Sequence, residues 1–258
     1  MWPGTDWAKV ITPVLGCTAG PADVIQTPQS ADLDDDGIPE AVITAQCPTS
    51  TSPSSVVVLA FSGVYAPSSA KGLLASYAAA ERFVSATTTV APGKIAIAGV
   101  GRSMATANCC PDVKVQLTYT TIGTDPKPVS RVVELLPTTE PGSYRGFITP
   151  SKNIVCGALS PDMPEKGAIC NLTVVDYPTQ ACDDETEPGN VWIVDPSGRM
   201  QQNEPKTCRG DQAMYRYRVP IPYGTTVVIG SVSCAVSEQG VTCTNRDGHG
   251  ITMSRSAA

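Results

Sequence analysis

Ten cysteines and a single histidine in a chain of 258 residues constrain this fold more than any other feature. The cysteines are Cys17, Cys47, Cys109 and Cys110, then Cys156, Cys170, Cys182, Cys208, Cys234 and Cys243, an even number in each half with no C-x-x-C among them. One histidine is too few for the usual Cys/His zinc sites, so the thiols read as disulfides, which need an oxidising compartment outside the cytoplasm. Pairing within each half leaves three connectivities for four cysteines and fifteen for six. Cys234 and Cys243 end two β-prone runs joined by Glu238-Gln239-Gly240, so a hairpin sets them opposite one another. The same reasoning pairs Cys156 with Cys170 across residues 160–167 and leaves Cys182 with Cys208. In the first half the expectation is Cys17–Cys109 and Cys47–Cys110, with the crossed pairing, or a vicinal Cys109–Cys110 bridge in a redox role, as alternatives.

The second constraint is Asp32-Leu33-Asp34-Asp35-Asp36-Gly37-Ile38-Pro39-Glu40. Carboxylates at every second position let a tight loop turn them inward, and Gly37 takes a backbone shape that a Cβ would hinder. Ca²⁺ takes six to eight oxygens; Asp32, Asp34, Asp36 and Glu40, the Ile38 carbonyl and a water supply such a set. Without a cation the crowded carboxylates repel one another, and the competing reading is a solvated acidic turn. The loop runs straight into Ala41-Val42-Ile43-Thr44-Ala45, an apolar β-prone run. A calcium loop that leads into a strand resembles the FG-GAP/VCBS type of repeat rather than an EF-hand. No second copy follows, which argues against a propeller of repeated blades.

The 23 prolines and 22 glycines interrupt the chain too often for long helices, and no run reaches the roughly 18 apolar residues of a membrane span. A net charge of −6 argues against nucleic acid or an anionic membrane as partner. No cleavable signal peptide is visible in the sequence.

These features predict a mainly β protein in two domains: an α+β domain over residues 1–140 with one short helix, and a small disulfide-rich all-β domain over residues 141–258. Residues 1–31 read as irregular, with a short strand near Val10–Leu15. Glu40–Cys47 and Ser55–Phe61 read as paired strands, and Lys71–Arg82, rich in Leu and Ala, as the helix. Phe83–Val90 and Lys94–Val100 form a hairpin around Ala91-Pro92-Gly93. Asp112–Ile122 carries Val113, Val115, Leu117 and Tyr119 on one face, with Val129–Leu136 as its partner. Pro137–Gly142 is the expected boundary. Beyond it the β-runs are Val155–Leu159, Ala168–Val174, Val191–Asp195, Tyr215–Val219, Thr225–Val236, Val241–Asn245 and Ile251–Arg255. Asp183-Asp184-Glu185 and Glu187 read as a solvated acidic loop rather than a second metal site.

Phe147-Ile148-Thr149-Pro150-Ser151-Lys152-Asn153-Ile154-Val155-Cys156 opens the second half. Ile221-Pro222-Tyr223-Gly224, Cys234, Gly240-Val241-Thr242-Cys243-Thr244-Asn245, Gly248-His249-Gly250-Ile251 and Ser254-Arg255 follow in order. Together they resemble an uncharacterised domain of secreted and envelope proteins of actinobacteria. The departures are Thr149 for serine, Lys152 for glycine, and Ala168-Ile169-Cys170 for V-R-C. The resemblance implies location and class, and no activity. The first half, through its acidic loop and Asn108-Cys109-Cys110-Pro111-Asp112, more loosely resembles actinobacterial extracytoplasmic proteins.

For catalysis, Ser68-Ser69-Ala70-Lys71, Ser151-Lys152-Asn153 and Lys206-Thr207-Cys208 follow the order of the penicillin-binding motifs, but the third lacks its glycine. His249, the only imidazole, sits between two glycines in what reads as a turn. No phosphate loop, dinucleotide fingerprint or H-E-x-x-H is present. The sequence therefore favours a secreted or envelope-attached, calcium-stabilised binding or surface-assembly protein, with another surface protein or its own copies as partner. An envelope serine hydrolase and an inhibitor or sensor ectodomain are the alternatives.

Overall fold

The computed structural model describes residues 4–49, 54–64, 72–78, 81–104, 106, 110–120, 122–123, 125–138, 145–158, 167–176, 190–196, 200–202 and 217–256. The chain is mainly β and divides into two compact units, Met1–Arg131 and Val132–Ala258. The division falls earlier than Pro137–Gly142, within a strand.

The first unit opens with helix α1 (Trp7–Leu15), where the sequence suggested a short strand. Asp6 caps it by accepting the Lys9 N–H at 3.1 Å, and Gly16 closes it in the left-handed conformation, φ 67°. Trp7, Val10, Ile11 and Val14 recur at helical spacing and pack on a sheet, with Trp7 and Phe61 ring centroids 5.4 Å apart. Pro13 lies inside the helix and deprives it of one backbone donor, which hides the helix from a propensity reading.

That sheet contains β1 (Asp23–Val24), β2 (Gln29–Ala31), β3 (Glu40–Gln46), β4 (Val57–Phe61) and β5 (Leu73–Tyr77), with β3 pairing β1, β2 and β4. Ala41, Ile43 and Ala45 of β3 join the cluster under α1. The opposite face of β3 presents Thr44, whose hydroxyl donates to Thr88 Oγ1 at 2.7 Å on β6 (Phe83–Ala91). The β6 strand forms the expected hairpin with β7 (Lys94–Gly101), which pairs with β8 (Val113–Tyr119). Val113, Val115, Leu117 and Tyr119 are all buried, as their alternation predicts. The chain returns with the Val129 N–H on the Thr118 carbonyl and enters β9 (Ser130–Leu135), in which the division falls. One helix layer and two sheet layers make up this unit.

The expected helix at Lys71–Arg82 is not formed where the structure describes it: Leu73–Tyr77 is β5, antiparallel to β4. Ala75 and Tyr77 are buried while Ser76 is exposed, an alternation that a helix does not produce. Burial of Tyr77 against Tyr119, centroids 4.9 Å apart, overrides the helix propensity of a short alanine-rich run.

The second unit holds β10 (Arg145–Ile148), β11 (Ile154–Ala158), β12 (Ala168–Leu172), β13 (Asn190–Val194), β14 (Met200–Gln202) and β15 (Tyr217–Pro220) in one sheet. Its order is β14-β13-β12-β11-β10-β15, antiparallel except for the parallel β10–β15 pair. An antiparallel meander follows: β16 (Thr225–Ile229), β17 (Val232–Ser237), β18 (Gly240–Thr244) and β19 (Gly250–Met253). The run read as one strand from Thr225 to Val236 is thus a hairpin that turns at Gly230.

Three disulfides are described. Cys156–Cys170 and Cys234–Cys243 join directly opposed residues of neighbouring strands, as the hairpin reasoning predicts. The first-half expectation of Cys17–Cys109 is overturned, and Cys47–Cys110 with it: Cys17 bonds Cys47. The reason is the unforeseen helix. The chain leaving α1 doubles back so that β1 pairs with the end of β3, which brings the two Cα atoms to 5.2 Å. Cys110 is also disulfide-bonded. Cys109, Cys182 and Cys208 lie outside the described residues, as do Ser68–Lys71, Lys206–Cys208 and the acidic Asp183–Glu187 stretch.

Candidate functional site

The acidic loop connects β2 to β3, whose pairing of Ala31 with Glu40 holds both ends of the loop together. Buried Leu33 anchors it from below, and the Asp32 carbonyl accepts the Gly93 N–H from the β6–β7 turn at 2.9 Å. On the other side the loop lies so close to Gly63 that a Cβ there would stand 2.3 Å from the Pro39 carbonyl oxygen.

Within the loop the aspartates first organise the backbone. Asp32 accepts the N–H groups of Asp35 (2.8 Å) and Gly37 (2.9 Å), and Asp36 accepts that of Ile38 at 2.7 Å. Asp34 accepts the Asp36 N–H at 3.3 Å. These turns wind the chain tightly enough that Asp35 and Gly37 take positive φ, 64° and 85°. The result is convergence: Asp32, Asp34 and Asp36 each place a carboxylate oxygen within 4.8 Å of the others.

Glu40 stands outside that group. Its carboxylate is buried and accepts the Leu33 N–H at 2.9 Å. Burial holds its pKa above the ordinary carboxylate value; the Leu33 hydrogen bond opposes this, and the charges of Asp34 and Asp36 add to it. Of the four carboxylates expected as ligands the structure gathers three and leaves Glu40 apart from them, on the Leu33 N–H. Three oxygen-only donors at this spacing suit a hard cation and not a soft metal.

Of the catalytic candidates that are described, the Ser151 and Asn153 side chains are engaged in structure. Ser151 Oγ shares a hydrogen bond with Thr149 Oγ1 at 3.1 Å in the β10–β11 turn. The Asn153 side chain pairs with both backbone groups of Val174, at 2.9 and 2.7 Å. His249 is exposed in the β18–β19 turn, where Asn245 Oδ1 accepts its backbone N–H at 2.9 Å.

No family model matches the chain, and no curated protein or solved structure matches it either. Among the described residues, no helix is long and apolar enough to cross a membrane. The disulfides are compatible with an oxidising, extracytoplasmic setting.

Proposed function

We propose that the chain is a secreted or envelope-attached binding protein whose first unit is braced by one Ca²⁺ ion. Asp32, Asp34 and Asp36 supply side-chain oxygens and Ile38 its carbonyl, with Glu40 placing further negative charge behind them. The observation that carries this reading is the convergence of the three aspartates, each already holding a backbone N–H. Carboxylates brought this close repel one another, and a cation bound between them would offset that repulsion. Extracytoplasmic fluids, where disulfides persist, also supply calcium at the concentrations that weak modular sites need.

The ion's task is structural. It ties the β2–β3 hairpin, to which α1 and β4 are attached, and so fixes a scaffold that meets another surface protein or its own copies. A ligand bound only by the folded state at a hundredfold excess over Kd stabilises by about 2.7 kcal/mol. Chelator is therefore expected to lower the melting temperature, and Asp34→Ala to abolish the response. An unmoved wild-type melt makes the loop a plain acidic turn. Labelling by a fluorophosphonate or β-lactam probe would replace the binding role with a hydrolase.

A further inference from the structure

The second unit contains a cleft of about 500 Å³ built from three stretches that the sequence singled out: Ser151–Ile154, Tyr223, and Ser254-Arg255. The β17–β18 turn, Glu238 and Gln239, forms another part of its wall.

Its polar groups fall into two sets. Thr149, Ser151 and Asn153 are consumed in holding the turn together. Lys152, Tyr223, Glu238 and Gln239 make no side-chain hydrogen bond or ion pair among the described residues. Arg255 is aimed by one contact, Nε to Asp176 Oδ1 at 3.0 Å, while its Nη groups have no partner among the described residues. Lys152, the Nη groups of an Arg255 ion-paired with Asp176, and the Gln239 amide thus stand beside Glu238 in the cleft. Lys152 is held there against its backbone preference: it is exposed, and its φ of 61° is the left-handed conformation that glycine adopts without penalty. Strain of this kind gathers at binding sites.

We propose that this cleft binds an acidic saccharide, a hydroxyl-bearing chain carrying carboxylate groups. Lys152 and Arg255 take the carboxylate, the exposed Tyr223 ring covers an apolar sugar face, and Glu238 and Gln239 bond the ring hydroxyls. Glu238, an acceptor in the same wall, suits a ligand that offers several hydroxyl donors beside its charge, which a bare anion such as phosphate does not. This rests on the binding role proposed above but not on the calcium ion.

The test is calorimetric titration of the full chain with an oligogalacturonate, its methyl-esterified neutral counterpart and inorganic phosphate, with and without calcium. The acidic oligosaccharide is expected to bind, esterification to weaken it at least tenfold, and equimolar phosphate to leave it bound. Lys152→Gly is expected to lose about tenfold in affinity while melting higher than the wild type, since strain is relieved as the charge is removed; Arg255→Gln loses affinity likewise. Absence of binding, equal binding of the ester, displacement by equimolar phosphate, or unchanged affinity in Lys152→Gly would each overturn the assignment. A failure here alongside an intact chelator response removes this ligand and leaves the calcium reading standing.

Discussion

Cys170 Sγ lies 3.8 Å from Cys243 Sγ, so the two cross-strand disulfides of the second unit touch in its core. All four cysteines are buried, and one bridge belongs to the six-stranded sheet, the other to the meander. Each bridge therefore stiffens one strand pair, and their contact forms part of the packing between the two layers.

Coupled effects follow from that contact. In the chain-entropy model loops this short make each bridge worth about 3 kcal/mol. Replacing Cys156 and Cys170 together by alanine, or Cys234 and Cys243, is expected to cost about that much in denaturant unfolding. Because the bridges touch, the fourfold variant should depart from the sum by about 0.5 kcal/mol or more. Strict additivity would mean that the sulfur contact contributes nothing.

Gly63→Ala tests the seat of the acidic loop. The new Cβ would meet the Pro39 carbonyl at 2.3 Å and Ile38 Cγ2 at 2.7 Å, so the loop must lift. Overpacking of this kind costs about 1–3 kcal/mol. The variant is expected to destabilise the protein and to shrink the calcium-dependent rise in melting temperature, although it removes no ligand. A full calcium response would show that the loop's shape does not depend on this contact.

The parts of this fold that were legible in the sequence are those decided by neighbours along the chain. Alternation fixed the faces of β8, and a short turn between Cys234 and Cys243 fixed their pairing. What escaped was decided by partners far away. Leu73–Tyr77 has the composition of a helix and becomes a strand because β4 offers a buried edge. The α1 signals were present in Asp6, in Gly16 and in the spacing of Trp7, Val10, Ile11 and Val14, but Pro13 outweighed them, and Cys17 was then paired wrongly. At the acidic loop the D-x-D-x-D spacing foretold the convergence of three aspartates, whereas the burial of Glu40 depends on β2 and β3 coming together. The sequence singled out three stretches of the cleft but not their meeting, since its walls run from Thr149 to Ser256 and come together only in the fold.

Glu40 separates the cost of the loop from its use. Its pKa is raised chiefly by burial, so its contribution to stability is present below the unfolded value of 4.5 and lost as pH rises through the folded one. Glu40→Gln keeps an acceptor for the Leu33 N–H and removes the charge. In chelator at neutral pH this variant is expected to melt above the wild type, with the gap closing below pH 4.5. In calcium the advantage should shrink, because the ion favours the carboxylate. A variant that melts lower in chelator at neutral pH would show the charge to be stabilising by itself.

Tyr77 gives the corresponding test at alkaline pH. Its ring is 1 % exposed, packed edge-on against Tyr119. Burial pushes its phenol up to about 12, reinforced by Tyr119 and by the charge of Glu40. The unfolded chain ionises near pH 10, so between 10 and 12 the folded state holds a proton that the unfolded state has lost. Stability from this group is complete below pH 10 and falls as pH rises through 12, by about 1.4 kcal/mol per unit. Unfolding free energies across this range should show that slope in the wild type, and Tyr77→Phe should reduce it. Absorbance titration of the folded protein should show at least one tyrosine ionising near 12 that ionises near 10 in denaturant. Equal slopes in the two proteins would mean that Tyr77 is reached by solvent and that the seam between β5 and β8 is open.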